Sequence, residues 1–290
     1  MRVLIVGCGY VGVATGAELV RQGHEVWGLR RSTRAKADLE AVGIVPILAD
    51  ITVPESLPQP TPRYDWVIHC VSASGGSDED YRRVYVEGTQ HLLKWLSTAP
   101  PDQLIYTGST SVYGQTDGSV VDEASPTEPQ TPTGRLLLET ERLVLDWAKG
   151  AKQAAVILRL GAIYGLGRAH WLEQFQAGKA RLDAEGMRIV NMIHRDDVAG
   201  AVIASLARAR SGKLYNAVDD EPVSQLGLFQ WLSRRLNRAL PPPGPRQIFA
   251  GKRGATSKRV SNRALKEELG YRFKFPSFRD GFEQILRHKF

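Results

Sequence analysis

Short apolar runs alternate with longer stretches of helical periodicity through the first half of the chain. Runs rich in Val, Ile and Leu predict buried strands at 3–6, 26–29, 44–48, 66–71, 104–107 and 155–160. Between these runs, apolar residues recur every three to four positions and predict helices over 11–21, 34–42, 81–97 and 135–149. Gly23 follows the first helix directly and is expected to cap its C-terminus. Strands alternating with helices predict an α/β fold with a parallel sheet covered on both faces.

The second half of the chain has a less regular pattern. Residues 161–169 are rich in glycine, and 213–217 form one more strand-like run. A proline-rich break at 241–245 precedes a basic loop. Beyond this loop, Ser261 or Asn262 is expected to cap a short helix that ends at Gly270.

A strand that returns this late predicts two interleaved domains. The first is expected to comprise 1–168 with a returning part at about 191–218, and to bind the cofactor. A smaller substrate-binding domain is expected to comprise 169–190 and 219–290.

Composition narrows the function classes. With 290 residues, of which 42% are hydrophobic and 24% charged, the chain can bury a sizeable core, which excludes disorder and a coiled coil as the main state. Thirty-eight Lys and Arg against thirty-one Asp and Glu leave a net charge of +7. The basic residues are scattered without interleaved aromatic residues, so anionic small molecules are the expected partners and nucleic acid is not.

Cysteine usage and the N-terminus bear on the compartment. Cys8 and Cys70 both lie in apolar runs, and no Cys/His cluster accompanies them, which argues against a disulfide framework or a metal site. The N-terminal apolar run breaks at Gly7, too early for a secretion signal, and no run reaches the roughly 18 apolar residues of a membrane span. We therefore expect a soluble cytoplasmic protein without a membrane partner.

The sharpest motif is Gly7-Cys8-Gly9-Tyr10-Val11-Gly12, which follows the first strand and opens the first helix. In such a loop the first glycine permits the tight turn and the second lets the backbone approach a pyrophosphate. The third allows close packing of helix on strand, and the anion rests on the helix N-terminus. The context predicts a Rossmann-type dinucleotide site, with a doubly wound parallel sheet, rather than a merely structural glycine turn.

The residues that end the second strand indicate which dinucleotide is bound. An NAD site normally places Asp or Glu there to accept hydrogen bonds from the ribose 2′-hydroxyl. This chain has Arg30-Arg31-Ser32, with Arg34 nearby, and a guanidinium suits a 2′-phosphate instead. NADP(H) is therefore the predicted cofactor and NAD(H) the alternative. The interpretation without a ligand is that these arginines form a solvated basic turn.

Taken together, these motifs resemble the extended short-chain dehydrogenase/reductase superfamily, which contains nucleotide-sugar epimerases and dehydratases. The resemblance covers nearly the whole chain. It implies that Asp50 meets the adenine and that Val71, Ser72 and Ala73 lie along the cofactor. Further segments match in the expected order: Tyr85-Val86-Glu87-Gly88-Thr89, Arg159-Leu160-Gly161-Ala162-Ile163-Tyr164-Gly165, Ile193-His194-Arg195-Asp196-Asp197-Val198, Leu214-Tyr215-Asn216 and Lys258-Arg259-Val260-Ser261-Asn262.

The resemblance also locates a catalytic region. Ser109 takes the place of the catalytic serine that hydrogen-bonds the substrate oxygen. The superfamily's Tyr-x-x-x-Lys pair corresponds to Thr133 and Leu137, and no Tyr lies between Tyr113 and Tyr164 to replace it. The glycine motif is also shorter than the usual Gly-x-x-Gly-x-x-Gly. Both departures are typical of atypical members, often described as NAD(P)-dependent epimerase/dehydratase-like proteins.

Several residues are candidates for the missing acid or for substrate contacts. Threonine is far less acidic than a phenol, so Thr133 is expected to be inactive as a proton donor. Tyr113 is a candidate acid or else a pocket wall, and His194 is a candidate titrating group or else a structural hydrogen-bonding residue. Tyr164, His194 and Arg259 are the candidate substrate-binding residues.

Two functions follow from these patterns. The first is an NADP(H)-dependent oxidoreductase or epimerase/dehydratase-like protein for a small carbonyl or nucleotide-sugar-like substrate. The alternative is a non-catalytic NADP(H)-binding sensor or regulator. The resemblance further allows a homodimer through helices 81–97 and 135–149, although packing within the core explains their leucines equally well.

Overall fold

The computed structural model describes residues 1–73, 75–183, 185–244 and 256–288. In chain order the strands are β1 Arg2–Val6, β2 Glu25–Arg30, β3 Val45–Leu48, β4 Trp66–His69, β5 Gln103–Ser109, β6 Val120–Val121, β7 Ala154–Leu160, β8 Ala162–Tyr164, β9 Leu182–Asp183, β10 Ile189–Val190, β11 Met192–His194, β12 Leu214–Ala217, β13 Val223–Ser224, β14 Pro243–Gly244 and β15 Arg259–Val260. The helices are α1 Tyr10–Arg21, α2 Lys36–Glu40, α3 Asp78–Tyr81, α4 Gly88–Leu96, α5 Pro132–Ala151, α6 His170–Gln176, α7 Arg195–Arg208, α8 Gln225–Leu236, α9 Arg263–Leu269 and α10 Phe278–His288. A π-helical segment, Arg82–Glu87, joins α3 to α4.

A seven-stranded sheet forms the centre of the molecule, in the order β12-β7-β5-β4-β1-β2-β3. All six neighbouring pairs are parallel. The α/β fold class with a Rossmann-type parallel sheet is therefore confirmed. The six strands predicted in the first half all belong to this sheet, and the late strand, β12, adds to its edge beside β7.

The inner strands of the sheet are buried on both faces, which explains why they read as continuous apolar runs, whereas the edge strand β3 is partly exposed. In β1, Val3 and Ile5 join a core cluster with residues of α1 and α7, whereas Leu4 and Val6 join a second cluster with residues of α4 and α5. Successive side chains of a strand point to opposite faces, so one short strand contributes to both layers.

The leucines that were considered for a dimer surface pack within the chain. Leu92, Leu93 and Leu96 of α4 are buried in the second cluster, and Leu143 and Leu145 of α5 pack against it. Core packing explains the buried leucines of α4, while Leu143 and Leu145 are partly buried and the homodimer stays a prediction.

The C-terminal part forms a core of its own against the strand pair β8 and β11. Aromatic and aliphatic residues from α6, α8 and α10 make up this cluster, among them Phe175, Phe229 and Phe282. β15 returns to pair in parallel with β6, which lies near the carboxyl end of the main sheet. The late segments are thus interleaved with the earlier ones in space.

Local capping follows the sequence expectations. Gly23 has a φ of +85° and donates its N–H to the Val20 carbonyl at 2.9 Å, which confirms it as the residue that ends α1. The Arg263 N–H donates to Ser261 Oγ at 3.3 Å at the start of α9, and Gly270, with a φ of +59°, follows its end. The basic loop after the proline-rich break lies mostly at 245–255, outside the described residues. Among the helices of the described ranges, none has the length and apolarity to cross a membrane.

Candidate cofactor and substrate site

The sheet order places a crevice at one defined point. Chain connections run outward in opposite directions from β1 and β4, which are neighbours, so the loops that follow these two strands separate. In doubly wound sheets, ligands bind at this switch point, beyond the carboxyl ends of the strands. The glycine loop follows β1, and the segment with Val71 and Ser72 follows β4.

The three glycines of the loop are required for three different reasons. Gly7 has a φ of +83°, and a Cβ there would lie 2.6 Å from the Val71 Cα. A Cβ on Gly12 would lie 3.0 Å from the side chain of Ile5, so this glycine lets α1 pack closely on β1. A Cβ on Gly9 would meet nothing nearer than the Gly7 carbonyl oxygen at 3.8 Å. The space beside Gly9 is thus open to a ligand.

Helix α1 provides donors at this opening. It begins at Tyr10 with Gly9 as its N-cap, and the Val13 N–H makes the first intrahelical bond, to the Gly9 carbonyl at 2.8 Å. The N–H groups of the preceding turn have no intrahelical acceptor and carry the positive end of the helix dipole. This arrangement suits a pyrophosphate.

A cavity of about 780 Å³ extends from the glycine loop across the ends of β4 and β5 to the C-terminal segments. Of the predicted site residues, those lining it are Gly7, Gly9, Tyr10, Val11, Val71, Ser72, Ala73, Ser109, Thr133 and Tyr164. Gly12 lies behind the loop, where it packs on β1. The structure thus brings together predicted site residues that are up to 157 positions apart along the chain, Gly7 and Tyr164.

A second cavity of about 270 Å³ adjoins the first, since Gly7, Gly9, Val71 and Ser72 line both. Its remaining lining includes the other predicted cofactor residues, Arg30, Arg31, Ser32 and Asp50. The two spaces joined at a glycine loop fit a dinucleotide, with the adenosine half in the smaller cavity and the nicotinamide half in the larger.

Asp50 is held in place at the smaller cavity. Its Oδ1 accepts hydrogen bonds from the Thr52 N–H at 2.9 Å and the Thr52 hydroxyl at 2.8 Å. The Arg31 guanidinium lies 3.8 Å from Asp50 Oδ2 and is 60% exposed. An exposed guanidinium beside the site can turn toward an incoming phosphate at little cost in desolvation.

The predicted catalytic region lies at the ends of β5 and α5. Ser109 Oγ accepts hydrogen bonds from the Ser111 N–H at 3.2 Å and the Ser111 hydroxyl at 3.0 Å. Thr133 and Leu137 are four residues apart, both line the larger cavity, and both therefore lie on the same face of α5. Thr131 caps this helix by accepting the Gly134 N–H at 3.1 Å, which fixes where its first turn begins.

Tyr113 is buried and is not among the residues that line the cavity, as expected of a structural residue rather than an acid. Its buried hydroxyl donates to Asn216 Oδ1 at 2.9 Å and accepts a hydrogen bond from Arg159 Nη1 at 2.9 Å. Arg159 forms a buried ion pair with Glu141 at 2.8 Å. Burial raises the pKa of Tyr113, although Arg159 opposes this effect. The residue is part of an interior polar network beneath the site.

Of the three predicted substrate contacts, only Tyr164 lines the cavity. The hydroxyl of Tyr164 donates to the Ser277 carbonyl at 3.3 Å, and burial raises its pKa. His194 is buried away from the cavity: its Nδ1 accepts the Asp196 N–H at 3.2 Å and caps α7. Burial lowers the pKa of His194 to about 4, which favours the neutral ring that a cap requires. In this structure His194 is a buried hydrogen-bonding residue that caps α7.

Arg259, the third predicted contact, faces away from the cavity, and the adjacent residue Lys258 lines the cavity instead. Arg259 is exposed and donates to the Gly118 carbonyl. Lys258 is buried and lines the cavity together with Asn191 and Arg188, none of which the sequence reasoning selected. Adjacent residues of an extended segment face opposite sides, so the motif was recognised but the wrong basic residue was chosen.

Comparison with known proteins identifies the family. Residues 3–218 match the model of the NAD dependent epimerase/dehydratase family. The chain belongs to this family. Its members are NAD(P)-dependent, and the seven-stranded sheet with its glycine loop is an NAD(P)-binding Rossmann fold.

Individual relatives span most of the chain at modest identity. The protein YeeZ of Escherichia coli is 28% identical over 95% of this chain and 96% of its own length. A 2-alkyl-3-oxoalkanoate reductase of Shewanella oneidensis is 27% identical over 74% of this chain and 61% of its own. The structure of a dTDP-glucose 4,6-dehydratase from Streptomyces venezuelae with NAD bound superposes with a TM-score of 0.85, at 21% identity over 99% of this chain and 96% of that one. At this identity, the last likeness concerns the fold alone.

Proposed function

We propose that this member of the family is an NADP(H)-dependent oxidoreductase that interconverts a small carbonyl compound and its alcohol. One observation carries the proposal: the glycine loop and the hydroxyl of Ser109 line the same continuous cavity. A dinucleotide on the loop and a carbonyl beside Ser109 would thus share one space. The shared space supports a reaction site over a nucleotide-binding site alone.

The preference for NADP(H) rests on the second strand. Arg30 and Arg31 line the smaller cavity at the point where an NAD site has a carboxylate for the ribose hydroxyls. Bidentate guanidinium–phosphate hydrogen bonds are among the strongest polar contacts in proteins. The side chain of Arg31 is 60% exposed and can therefore reorient toward a phosphate. Asp50, which Thr52 orients, lies within reach of the same ribose and adenine region.

The residues at the reaction end have distinct expected roles. The cofactor supplies or accepts the hydride. Ser109 donates its hydroxyl proton in a hydrogen bond to the substrate oxygen and so stabilises the negative charge that develops there. Thr133 and Leu137 stand where the superfamily has its tyrosine and lysine, and we propose that they shape the pocket without transferring a proton. Water or another group then supplies the proton.

The name of one relative is consistent with this chemistry. The Shewanella oneidensis protein is a 2-alkyl-3-oxoalkanoate reductase, which acts on a ketone. The present chain shares 27% of its residues over the aligned region. We take this as support for a ketone as the reacting group and not for that particular substrate.

The test is a hydride-transfer assay with a panel of ketones, aldehydes and sugar nucleotides, in which the absorbance of NADPH is the readout. We expect turnover with at least one small carbonyl compound. The variant Ser109→Ala should lose about 100-fold or more in kcat/KM while its NADPH affinity stays unchanged. Tight NADPH binding with no turnover of any compound would instead favour the sensor function.

A further inference from the structure

Lys258 is a buried cation in the wall of the larger cavity. The residue is only 4% exposed. Its Nζ donates to the Tyr113 carbonyl at 2.8 Å and to Thr256 Oγ1 at 2.9 Å, and both acceptors are neutral. An ammonium has three N–H donors, so one donor remains beyond these two contacts.

The charge of Lys258 is not neutralised within the described parts of the chain. No carboxylate there lies within ion-pair distance of its Nζ, and burial alone lowers its pKa, to about 8. Two arginines also line this cavity: Arg188 forms an ion pair with Asp183 at 2.5 Å, and Arg168 lies 5.6 Å from the ring centroid of Tyr10, at the glycine loop. At pH 7 the amine is still mainly protonated, and an unpaired buried charge is unfavourable until an anion joins it.

The position of Lys258 separates it from the phosphate loop. β5 lies two strands from β1 in the sheet, which is about 10 Å at the usual strand spacing. The carbonyl that anchors the ammonium belongs to Tyr113, which follows Ser109 by a single 3-10 turn, Thr110–Val112, of about 6 Å rise. The lysine therefore lies toward the end of the cavity that holds Ser109, which we call the serine end.

The segment that carries Lys258 is held firmly. Asn191 donates from Nδ2 to the Lys258 carbonyl at 2.9 Å and accepts the Val260 N–H on its Oδ1 at 2.8 Å. These two bonds clamp the backbone on both sides of Arg259. A binding group on a clamped segment is preorganised, so little conformational entropy is lost when a ligand arrives.

We propose that Lys258 is a specificity-determining residue that binds an anionic group, a carboxylate or a phosphate, on the carbonyl substrate. The substrate class is then a negatively charged carbonyl compound, with its carbonyl at Ser109 and its anion at Lys258. This inference rests on the function proposed above and names the substrate class for it. Pairing with an anion offsets the desolvation of the ammonium, which a neutral analogue of the same shape cannot do.

Two matched pairs of probes test the proposal by calorimetric binding to the NADP⁺ complex at pH 7. Acetoacetate is compared with its methyl ester, and dihydroxyacetone phosphate with dihydroxyacetone. In the parent protein we expect at least one anion to bind about tenfold or more tightly than its neutral partner. The pair that shows the difference identifies the anion as carboxylate or phosphate.

Variants separate recognition from a purely structural role. Lys258→Gln removes the charge but keeps an N–H donor for the Tyr113 carbonyl, and it should reduce the anion preference to about twofold or less. Lys258→Arg should retain most of the preference. Lys179→Met, which removes an exposed lysine elsewhere, should leave it unchanged. Melting curves check that each variant is folded, and a structural role alone would lower stability without altering the preference.

Two binding results would overturn the inference: a parent protein that prefers neither anion, or a Lys258→Gln variant that keeps the preference. Turnover of neutral carbonyl compounds as efficient as that of charged ones would leave the reductase function standing and refute only the anion site. Anion preference without NADPH turnover would support the anion site at Lys258 and refute the reductase function.

Discussion

The two ends of the larger cavity are built in different ways. The core of the dinucleotide end is a run of consecutive residues, the loop from Gly7 to Gly12, whose backbone N–H groups and helix dipole are expected to bind the pyrophosphate. The serine end draws Ser109, Thr133, Asn191 and Lys258 from four separate segments. A contiguous backbone site depends on local conformation, whereas an assembled side-chain site depends on the packing of the whole chain.

Electrostatics distinguishes the two ends as well. Near the dinucleotide end, Arg31 is 60% exposed and stays hydrated, with Asp50 beside it. At the serine end, Lys258 is nearly inaccessible and unpaired in the described residues. A hydrated arginine selects among cofactors at small cost, whereas a buried lysine penalises every ligand that brings no charge. The two ends therefore differ in hydration: the arginine at the cofactor end is solvated, whereas the lysine at the substrate end is desolvated.

The largest expected effect is a loss of dinucleotide affinity from a change at the dinucleotide end alone. Gly9→Val should reduce dinucleotide affinity by at least about 100-fold because a side chain would occupy the space reserved for the pyrophosphate. The fold should survive, since a Cβ at Gly9 meets no atom closer than 3.8 Å. Calorimetry and circular dichroism measure the two quantities.

Gly7→Val is the matched control for that change. A Cβ on Gly7 would lie 2.6 Å from the Val71 Cα, and the φ of +83° is strained for any side chain. This variant should lose thermal stability, unlike Gly9→Val. Normal dinucleotide binding by Gly9→Val would show that the loop is not the phosphate site.

A smaller effect is expected for the choice between cofactors. The parent should bind NADPH more tightly than NADH, and Arg30→Asp should erase or reverse the gap, because charge-assisted bonds of about 1.5–3 kcal/mol correspond to roughly ten- to hundredfold in affinity. Calorimetry with both nucleotides measures this. Arg142→Asp makes the same change of charge on an exposed position of α5 and should leave the preference intact. Equal affinities in the parent would contradict the NADP(H) proposal.

A third change tests the network beneath the serine end. Tyr113→Phe removes the hydroxyl that bridges Arg159 and Asn216, leaving buried polar groups unsatisfied. We expect a loss of about 1–3 kcal/mol in the free energy of unfolding, measured with urea, and no change in NADPH affinity. A selective loss of turnover with unchanged stability would restore Tyr113 as a catalytic candidate.

The smallest effect is expected at the position that corresponds to the superfamily's tyrosine. Thr133→Val preserves the shape of the side chain and removes the hydroxyl. If Thr133 transfers no proton, the pH profile of kcat/KM should keep its shape and its maximum should change by less than about threefold. A large loss of activity would make Thr133 a participant in proton transfer. Thr133→Tyr combined with Leu137→Lys should then show whether the pocket accepts the usual pair.

The sequence predicted the central sheet because its inner strands are buried on both faces and so leave continuous apolar runs. It predicted the glycine loop for a related reason. The positive φ at Gly7 and the close packing at Gly12 demand glycine in the fold, whereas Gly9 leaves space for a ligand, and all three lie in one six-residue window. The family resemblance added Ser109 and Asp50, both of which the structure places at the cavities.

Only the tertiary structure decided which polar residues face the site. Tyr113, His194 and Arg259 carry the right chemistry, yet Tyr113 turns into the interior, His194 caps α7 and Arg259 points outward. Lys258 lies next to Arg259 and faces the cavity instead, because β15 pairs with β6 in a fixed register. One position of register exchanges which side chain is buried, and that register depends on contacts between segments more than a hundred residues apart. The chain thus encodes its cofactor loop locally and its substrate wall through long-range packing.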